Sequence, residues 1–261
     1  MEISNESFNQ QILSLAVSGA TIQDHIAITL MALEKFNIDT ILLGADPWLF
    51  NRYNNQLRWK SISDEYKISL KNIQFKSKDN KIIKKANYKE KYLFYEQFLE
   101  NMYSFLNIRK LDLDIKPNEI NSLTKDVILR VGKRVYGETY PKTKKQEKLK
   151  AEVIEYSMNK YEFSHEYYTI YKNFITHLVD IHKKEVVLVL SPYHLPSYKL
   201  TIEAKPFYLD LEDRFQELSK EKNIKIVGSY YASSIPCDEN EFWDDMHPKE
   251  SCMIKITDKI N

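Results

Sequence analysis

The chain has 261 residues, of which 43% are hydrophobic and 29% are charged, so a packed core is expected and wholesale disorder is not. Its 38 lysine and arginine residues are balanced by 37 acidic residues, which argues against a general electrostatic attraction to nucleic acid or to acidic membranes. The sequence shows no apolar run long enough to span a bilayer, and its five glycines make a glycine-rich phosphate loop unexpected.

Four apolar segments predict buried parallel strands, each followed by small or polar residues. They are residues 12–18, 38–45, 185–193 and 223–231. Continuously apolar strands of this kind are typical of a sheet that is covered on both faces, because neither face then has to carry polar side chains.

Helical periodicity lies between these strands. An apolar stripe follows Gly19, and Thr21 with Asp24 three residues later predicts a capping box at the start of that helix. Residues 161–184 predict a long helix leading into the third strand, and residues 207–223 predict another before the last strand. This spacing implies right-handed crossovers and an α/β fold with a doubly wound, flavodoxin-like parallel sheet and helices on both faces.

The middle of the chain follows a different pattern. Residues 67–91 are rich in lysine with weak periodicity, residues 92–108 predict an amphipathic helix, and residues 141–150 predict a solvated linker or helix start. We therefore expect a single α/β domain over residues 1–261, with a largely helical insertion or cap over residues 52–184.

The two cysteines, Cys237 and Cys252, flank a segment that contains His247. They are either two unrelated reduced thiols or a disulfide, which would close a loop around His247 and stabilise the fold by roughly 3 kcal/mol in an oxidising compartment. A Cys/His/Cys zinc site is less favoured, because no close C-x-x-C pair exists and a fourth ligand is lacking. We expect neither a metal nor a cofactor.

Residues expected after the carboxyl ends of the strands form the candidate site, because open α/β sheets bind ligands there. They are Ser18 and Gly19, residues 44–47 with Asp46, residues 191–194 with His194, and the loop that carries Asp244 and His247. An acid three residues before a histidine, on a turn fixed by a proline, can turn its carboxylate onto the imidazole as in a Ser-His-Asp triad. Taken alone, this short pattern is better explained by a helix-start aspartate and a surface histidine.

The order of several motifs along the chain indicates a resemblance to a known superfamily. LAVSGAT, LLGADP and FWDDMHP occur in the order used by SGNH hydrolases, and the chain resembles that superfamily. LSPYH and CDENEFWDDMHPKESC resemble its cell-envelope branch, related to the alginate-acetylation and teichoic-acid D-alanylation proteins. The resemblance covers roughly residues 12–51 and 185–256. It implies an esterase or O-acyltransferase that acts on an acylated glycan or envelope polysaccharide, in the periplasm or cell envelope rather than the cytoplasm.

Carried over to this chain, the resemblance makes His247 the general base and Asp244 its orienting partner. Gly19 would give a backbone N–H to the oxyanion hole, and Asp46 occupies the place of the family's oxyanion-hole asparagine. Asp46 is a departure, because a carboxylate repels a developing oxyanion unless it is protonated, whereas an amide donates to it.

The nucleophile of the resemblance is not matched. Ser18 aligns with the oxyanion block, and with His194 it is a further candidate for contact with substrate. The residues ahead of Ile12, MEISNESFNQQ, contain no Gly-Asp-Ser or Gly-Ser-Ser block and no apolar strand. We expect that the sequence begins downstream of the true start, because deleting a central strand should cost more than the roughly 5–15 kcal/mol that stabilise a domain.

Two other functions stay open. One is a catalytically inactive SGNH-like module that binds a glycan or a protein partner. The other, a nucleotide-binding flavodoxin-like domain, is least favoured because a phosphate-binding loop is lacking. Contact with a membrane would come only through an N-terminal segment that this sequence does not contain.

Overall fold

The computed structural model describes residues 15–16, 19–54, 56–75, 109–110, 127–128, 134–135, 151, 154, 161–204 and 206–260. These residues form an α/β fold in which a three-stranded parallel sheet is flanked by helices. The helices are α1 (Ile22–Lys35), α2 (Ser63–Phe75), α3 (His165–Asp180), α4 (Leu195–Ala204), α5 (Phe207–Lys222) and α6 (Glu250–Thr257). The strands are β1 (Thr40–Gly44), β2 (Arg109–Lys110), β3 (Val127–Ile128), β4 (Arg134–Val135), β5 (Glu185–Leu190) and β6 (Lys225–Gly228). Short 3-10 helices cover Pro47–Phe50, Arg58–Ile62, Ala232–Ser234 and Glu239–Glu241.

The parallel sheet has the strand order β1–β5–β6. Thr40 lies opposite Glu185 in the first pair, and Leu190 lies opposite Gly228 in the second. Because the strands are parallel, their carboxyl ends meet at one edge, which we call the carboxyl edge. The three predicted strands in this sheet are confirmed, as are the helices predicted after Gly19, before β5 and before β6.

The first predicted strand has a different outcome. Leu15 and Ala16 lie outside any strand, so the prediction is wrong at these two positions. The other residues of the 12–18 segment, Ser18 among them, lie outside the described residues.

The apolar run of β5 is explained by burial on both faces of the sheet. Val186 and Leu188 pack in a cluster with residues of α1, α3 and α5, whereas Val187 and Val189 pack with Ile256 of α6. Each side chain buried in this way stabilises the fold by roughly 1.5–3 kcal/mol relative to an exposed one. A strand with solvent on one face would instead alternate apolar and polar residues.

Helix α1 starts as its sequence predicts. The Thr21 backbone N–H donates to Asp24 Oδ2 at 2.7 Å, and the Asp24 N–H donates to Thr21 Oγ1 at 3.3 Å. This reciprocal capping box satisfies backbone donors that would otherwise be lost in a buried position. It fixes the start of α1 next to Gly19, whose φ of 69° lies in the left-handed region that glycine adopts without strain.

The described parts of the 52–184 segment are mixed in structure. They comprise α2, α3 and a small sheet in which β3 pairs parallel to β2 and antiparallel to β4. The predicted helix over residues 92–108 and the predicted linker over residues 141–150 lie outside the described residues. Over the part of the chain that the structure describes, no helix combines the length and the apolar character needed to cross a membrane.

Candidate acid–base site at the carboxyl edge

The DDMH segment sits on a narrow loop after β6. An isolated antiparallel bridge pairs Phe242 with Pro248, and the Trp243 N–H donates to the His247 carbonyl oxygen at 2.8 Å. These contacts close the loop at its base. The residues at the tip are therefore forced into a tight turn in which Asp244 and His247 face each other.

One carboxylate oxygen holds this turn together. Asp244 Oδ1 accepts the backbone N–H groups of Met246 and His247, both at 3.0 Å, and lies 2.7 Å from His247 Nδ1. The contact predicted from the D-x-x-H spacing is therefore confirmed. With a proton on Nδ1 directed at the carboxylate, Nε2 carries the lone pair that a general base needs. The His247 side chain is 55% exposed, so its ring is open to solvent.

Tyrosine side chains fix the loop that follows β1. Tyr230 Oη donates to the Ala45 carbonyl oxygen, and Tyr161 Oη donates to the Pro47 carbonyl oxygen at 3.1 Å. These bonds bracket Asp46 on both sides. Because the tyrosines come from segments far along the chain, they tie the loop after β1 to the rest of the carboxyl edge.

Asp46 is half-buried in this loop, and its carboxyl group lies near enough to His247 for their charges to interact. Burial raises the pKa of the Asp46 carboxyl, and the charge of His247 and a hydrogen bond from the Trp48 side chain oppose that increase. Desolvation favours the neutral form of a carboxyl group, and a neutral carboxyl group can donate a hydrogen bond. Asp46 therefore lies where its protonation state decides whether it repels or stabilises negative charge near His247.

His194 follows β5 as the sequence predicts, but its side chain is buried, which the sequence did not indicate. It directly precedes α4, and its side chain is only 1% exposed. Its Nδ1 lies 3.0 Å from Ser197 Oγ, and Ser197 Oγ donates to Asp245 Oδ1 at 2.7 Å. The burial favours a contact within the protein over the contact with substrate that the sequence suggested.

Sequence reasoning did not single out Ser197 or Asp245. A signal was present, because His194 and Ser197 are three residues apart at a helix start and Asp245 is the neighbour of Asp244. Helix α4 itself was not predicted. Without that helix, the three-residue spacing of His194 and Ser197 did not indicate that their side chains lie close together. Pro196 in the first turn of α4 is a common helix-start residue and could have indicated it.

The remaining predicted residues divide into two groups. Gly19 is described and lies immediately before the capped start of α1, but its role in an oxyanion hole stays a prediction. Ser18 lies outside the described residues. The structure thus brings Asp46, Asp244 and His247 together, with His194 buried nearby.

A disulfide joins the segment ahead of the loop with Asp244 and His247 to α6. Cys237 and Cys252 are bonded, with their Cα atoms 5.2 Å apart, so the prediction that they are close enough to bridge is confirmed. The bridge encloses the segment that carries Asp244 and His247. It therefore limits how far the loop with Asp244 and His247 can move away from the sheet.

A cavity of about 120 Å³ lies elsewhere, between α1, α2 and α3. Its polar lining includes Lys35, Glu65, His177 and His182. Lys35 ends α1 shortly before β1 begins, which puts this cavity toward the opposite edge of the sheet. It does not contain the residues of the acid–base pair. Among the described residues, no group of three or more His, Cys, Asp or Glu side chains is arranged to hold a metal ion.

Comparisons with protein-family models, curated proteins and solved structures find no match to this chain.

Proposed function

We propose that this chain carries the acid–base part of an SGNH-like esterase or O-acyltransferase that acts on an acylated cell-envelope glycan. The observation that carries the proposal is the 2.7 Å contact between Asp244 Oδ1 and His247 Nδ1, on an exposed loop after β6. This is the arrangement by which an aspartate orients a histidine base for acyl transfer. The motif order LAVSGAT, LLGADP and FWDDMHP supports the same chemistry.

The burial of Asp46 bears on its unusual place in the motif. Burial raises the pKa of this carboxyl, which favours the protonated form. A protonated Asp46 can donate a hydrogen bond to a developing oxyanion, as the family's asparagine does. The departure from the SGNH pattern is then compatible with acyl chemistry, at a pH where Asp46 is neutral.

The wider architecture and the location belong to the same proposal. The three parallel strands are taken as part of a doubly wound, flavodoxin-like sheet, and residues 52–184 as a largely helical insertion. Apolar clusters on both faces of β5 support the first of these. The disulfide between Cys237 and Cys252 supports an oxidising location such as the periplasm or cell envelope.

The test is hydrolysis of an activated acetyl ester by the full chain. We expect slow turnover in which His247 activates water directly, because the nucleophile block of the resemblance is not matched. His247→Ala should lower the rate above background by roughly 10²-fold, the usual contribution of a general base. Ser18→Ala should lower the rate less than His247→Ala does, since Ser18 matches the oxyanion block and not the nucleophile block.

Exposed histidines also react with activated esters, so a matched control is needed. His165, the exposed first residue of α3, provides it: His165→Ala should retain the wild-type rate. Equal rates for His247→Ala and His165→Ala would contradict the proposal. Loss of activity in Ser18→Ala would show instead that Ser18 is the nucleophile.

Asp46 also favours a second candidate, a catalytically inactive SGNH-like module that binds a glycan or a protein partner. If Asp46 is ionised at working pH, its charge disfavours an oxyanion beside it. This function predicts binding of the acetylated glycan with no release of acetate. Asp46→Asn separates the two candidates, because it should raise turnover only if the site performs acyl chemistry.

A further inference from the structure

We infer that the buried residues His194 and Ser197 and the half-buried Asp245 form a positioning network that holds the Asp244–His247 pair in its reactive geometry. The role in catalysis rests on the proposed function, whereas the positioning itself does not. None of the three residues is proposed to touch substrate.

The network is a chain of short contacts that ends on the loop. His194 Nδ1 lies 3.0 Å from Ser197 Oγ, which donates to Asp245 Oδ1 at 2.7 Å. The His194 backbone N–H also donates to the Asp245 carbonyl oxygen at 3.0 Å. Asp245 is thus held by both its side chain and its main chain, and all the donors come from the segment that follows β5.

The hydrogen bonds between the three side chains are all donated in the same direction. A serine hydroxyl has a single proton, and Ser197 gives it to Asp245. The contact between His194 and Ser197 therefore requires the imidazole to donate from Nδ1. The sequence of donors is His194 to Ser197 to Asp245, and it terminates on a carboxylate. Such a chain fixes the orientation of each member, because reversing one bond would leave a buried donor without an acceptor.

The network reaches the reactive pair through the backbone. Asp245 lies between Asp244, whose Oδ1 accepts three hydrogen bonds, and Met246, which supplies one of them. A rotation of the peptide groups around Asp245 would move Asp244 away from the His247 ring. A second contact supports the base of the loop, where the His194 ring lies edge-on to Phe242 with centroids 5.9 Å apart.

Burial excludes a catalytic role for His194 and Ser197 as they stand. Ser197 is fully buried, and its hydroxyl is bonded directly to the carboxylate rather than placed for attack. His194 Nε2 is buried and has no hydrogen-bond partner among the described residues. A nucleophile and its base must instead reach a substrate, as the exposed ring of His247 can.

The test compares variants that keep or remove the Nδ1 donor of His194. His194→Asn places an amide N–H near the Nδ1 position, whereas His194→Gln places it near the Nε2 position. Ser197→Ala removes the central hydroxyl. The readout is the proton NMR spectrum of the ¹⁵N-labelled protein, in which a His247 Nδ1 proton bonded to a carboxylate gives a distinct downfield signal. This measurement requires no enzymatic activity.

We expect His194→Gln and Ser197→Ala to lower the intensity of that signal at least tenfold, while His194→Asn keeps it. In parallel, ester turnover should fall roughly tenfold to 10²-fold in kcat with little change in KM, as for misplaced catalytic groups. If Ser197→Ala does not fold, the two His194 variants carry the test alone.

The matched control is Thr201 on the same helix. Its Oγ1 donates to the Ser197 carbonyl oxygen at 2.7 Å and accepts the Ile154 N–H at 2.9 Å, so it is buried and bonded without belonging to the network. Thr201→Val should leave the His247 signal unchanged. An unchanged signal in His194→Gln and Ser197→Ala, or equal loss in Thr201→Val, would overturn the inference. A changed signal in a protein without ester turnover would refute the proposed function and leave the positioning role intact.

Discussion

Asp46 links the stability of the fold to pH. Burial raises its pKa above the ordinary value of 3.8, so the folded state favours the neutral form. A group of this kind stabilises the fold fully below its unfolded pKa, and that contribution is lost as the pH rises through its folded pKa. At neutral pH the ionised carboxylate therefore lowers the free energy of unfolding, and an amide in its place would not.

Asp46→Asn should consequently raise the free energy of unfolding at pH 7 and change it little at pH 3. Urea denaturation between pH 3 and pH 8 measures the difference between the two proteins. Trp48 can keep its hydrogen bond in the variant, because the asparagine oxygen is also an acceptor. A difference that does not grow with pH would contradict the account of Asp46.

His25, in the first turns of α1, has a pKa shift of the opposite sign. Burial lowers its pKa from 6.5 to about 4, and its Nδ1 is enclosed without a partner among the described residues. The folded protein therefore holds His25 neutral. Its contribution to stability is present above pH 6.5 and is lost as the pH falls toward 4.

We expect wild-type stability to fall between pH 6.5 and pH 4 by on the order of 2–3 kcal/mol on account of His25. His25→Phe, which cannot be protonated, should remove that part of the slope. His165→Ala, at an exposed position, should retain it. Identical pH slopes in His25→Phe and the wild type would show that His25 is not the titrating group.

At the scale of the elements, the disulfide bonds the segment ahead of the loop with Asp244 and His247 to α6. In the chain-entropy model, a bridge that closes a loop of about 15 residues stabilises a protein by roughly 3 kcal/mol. The two cysteines are 15 residues apart, so the double variant Cys237→Ala, Cys252→Ala should lose about that amount. Urea denaturation with and without a reducing agent measures it, and the double variant should not respond to the reductant. A wild type that also fails to respond would show that the thiols are not bridged.

The end of β6 depends on Gly228. Its φ is +85°, and an added Cβ would lie 2.1 Å from the Leu190 carbonyl oxygen of the neighbouring strand. Gly228→Ala must therefore strain the backbone or separate β5 from β6, at a cost of about 3 kcal/mol or more. Gly44→Ala at the end of β1, where φ is not positive, should cost less. Similar losses of unfolding free energy in both variants would contradict this explanation.

Local signals predicted several elements because the physics behind them is local. The apolar run of β5, the Thr21–Asp24 capping box and the proximity of the cysteines each depend on neighbouring residues or simple burial. The contact between Asp244 and His247 belongs to this group, since a three-residue spacing on a tight turn settles it.

The other parts of the site could not be predicted, because they depend on where distant segments meet. Ser197 and Asp245 are 48 residues apart in sequence, and neither is distinctive on its own. The tyrosines that hold the loop around Asp46 are farther still: Tyr230 Oη contacts Ala45 across 185 residues. Such contacts follow from the packing of α4 and the strand ends, which a single sequence does not specify.

For the molecule as a whole, the parallel sheet collects the candidate residues at one edge. Asp46 follows β1, His194 follows β5, and the loop with Asp244 and His247 follows β6. Because adjacent parallel strands end together, three segments distant in sequence supply one candidate site. The positioning network, the disulfide and the tyrosine hydrogen bonds then limit how far these three segments can move.

The central claim is that Asp244 and His247 carry out acyl-ester chemistry on a glycan. The most direct measurement is the release of acetate from an O-acetylated polysaccharide by the full chain, with binding of the polysaccharide measured in parallel. We predict release that falls at least about tenfold in both Asp244→Asn and His247→Ala, with polysaccharide binding retained. Binding without release in the wild type, or release that persists unchanged in both variants, would contradict the claim.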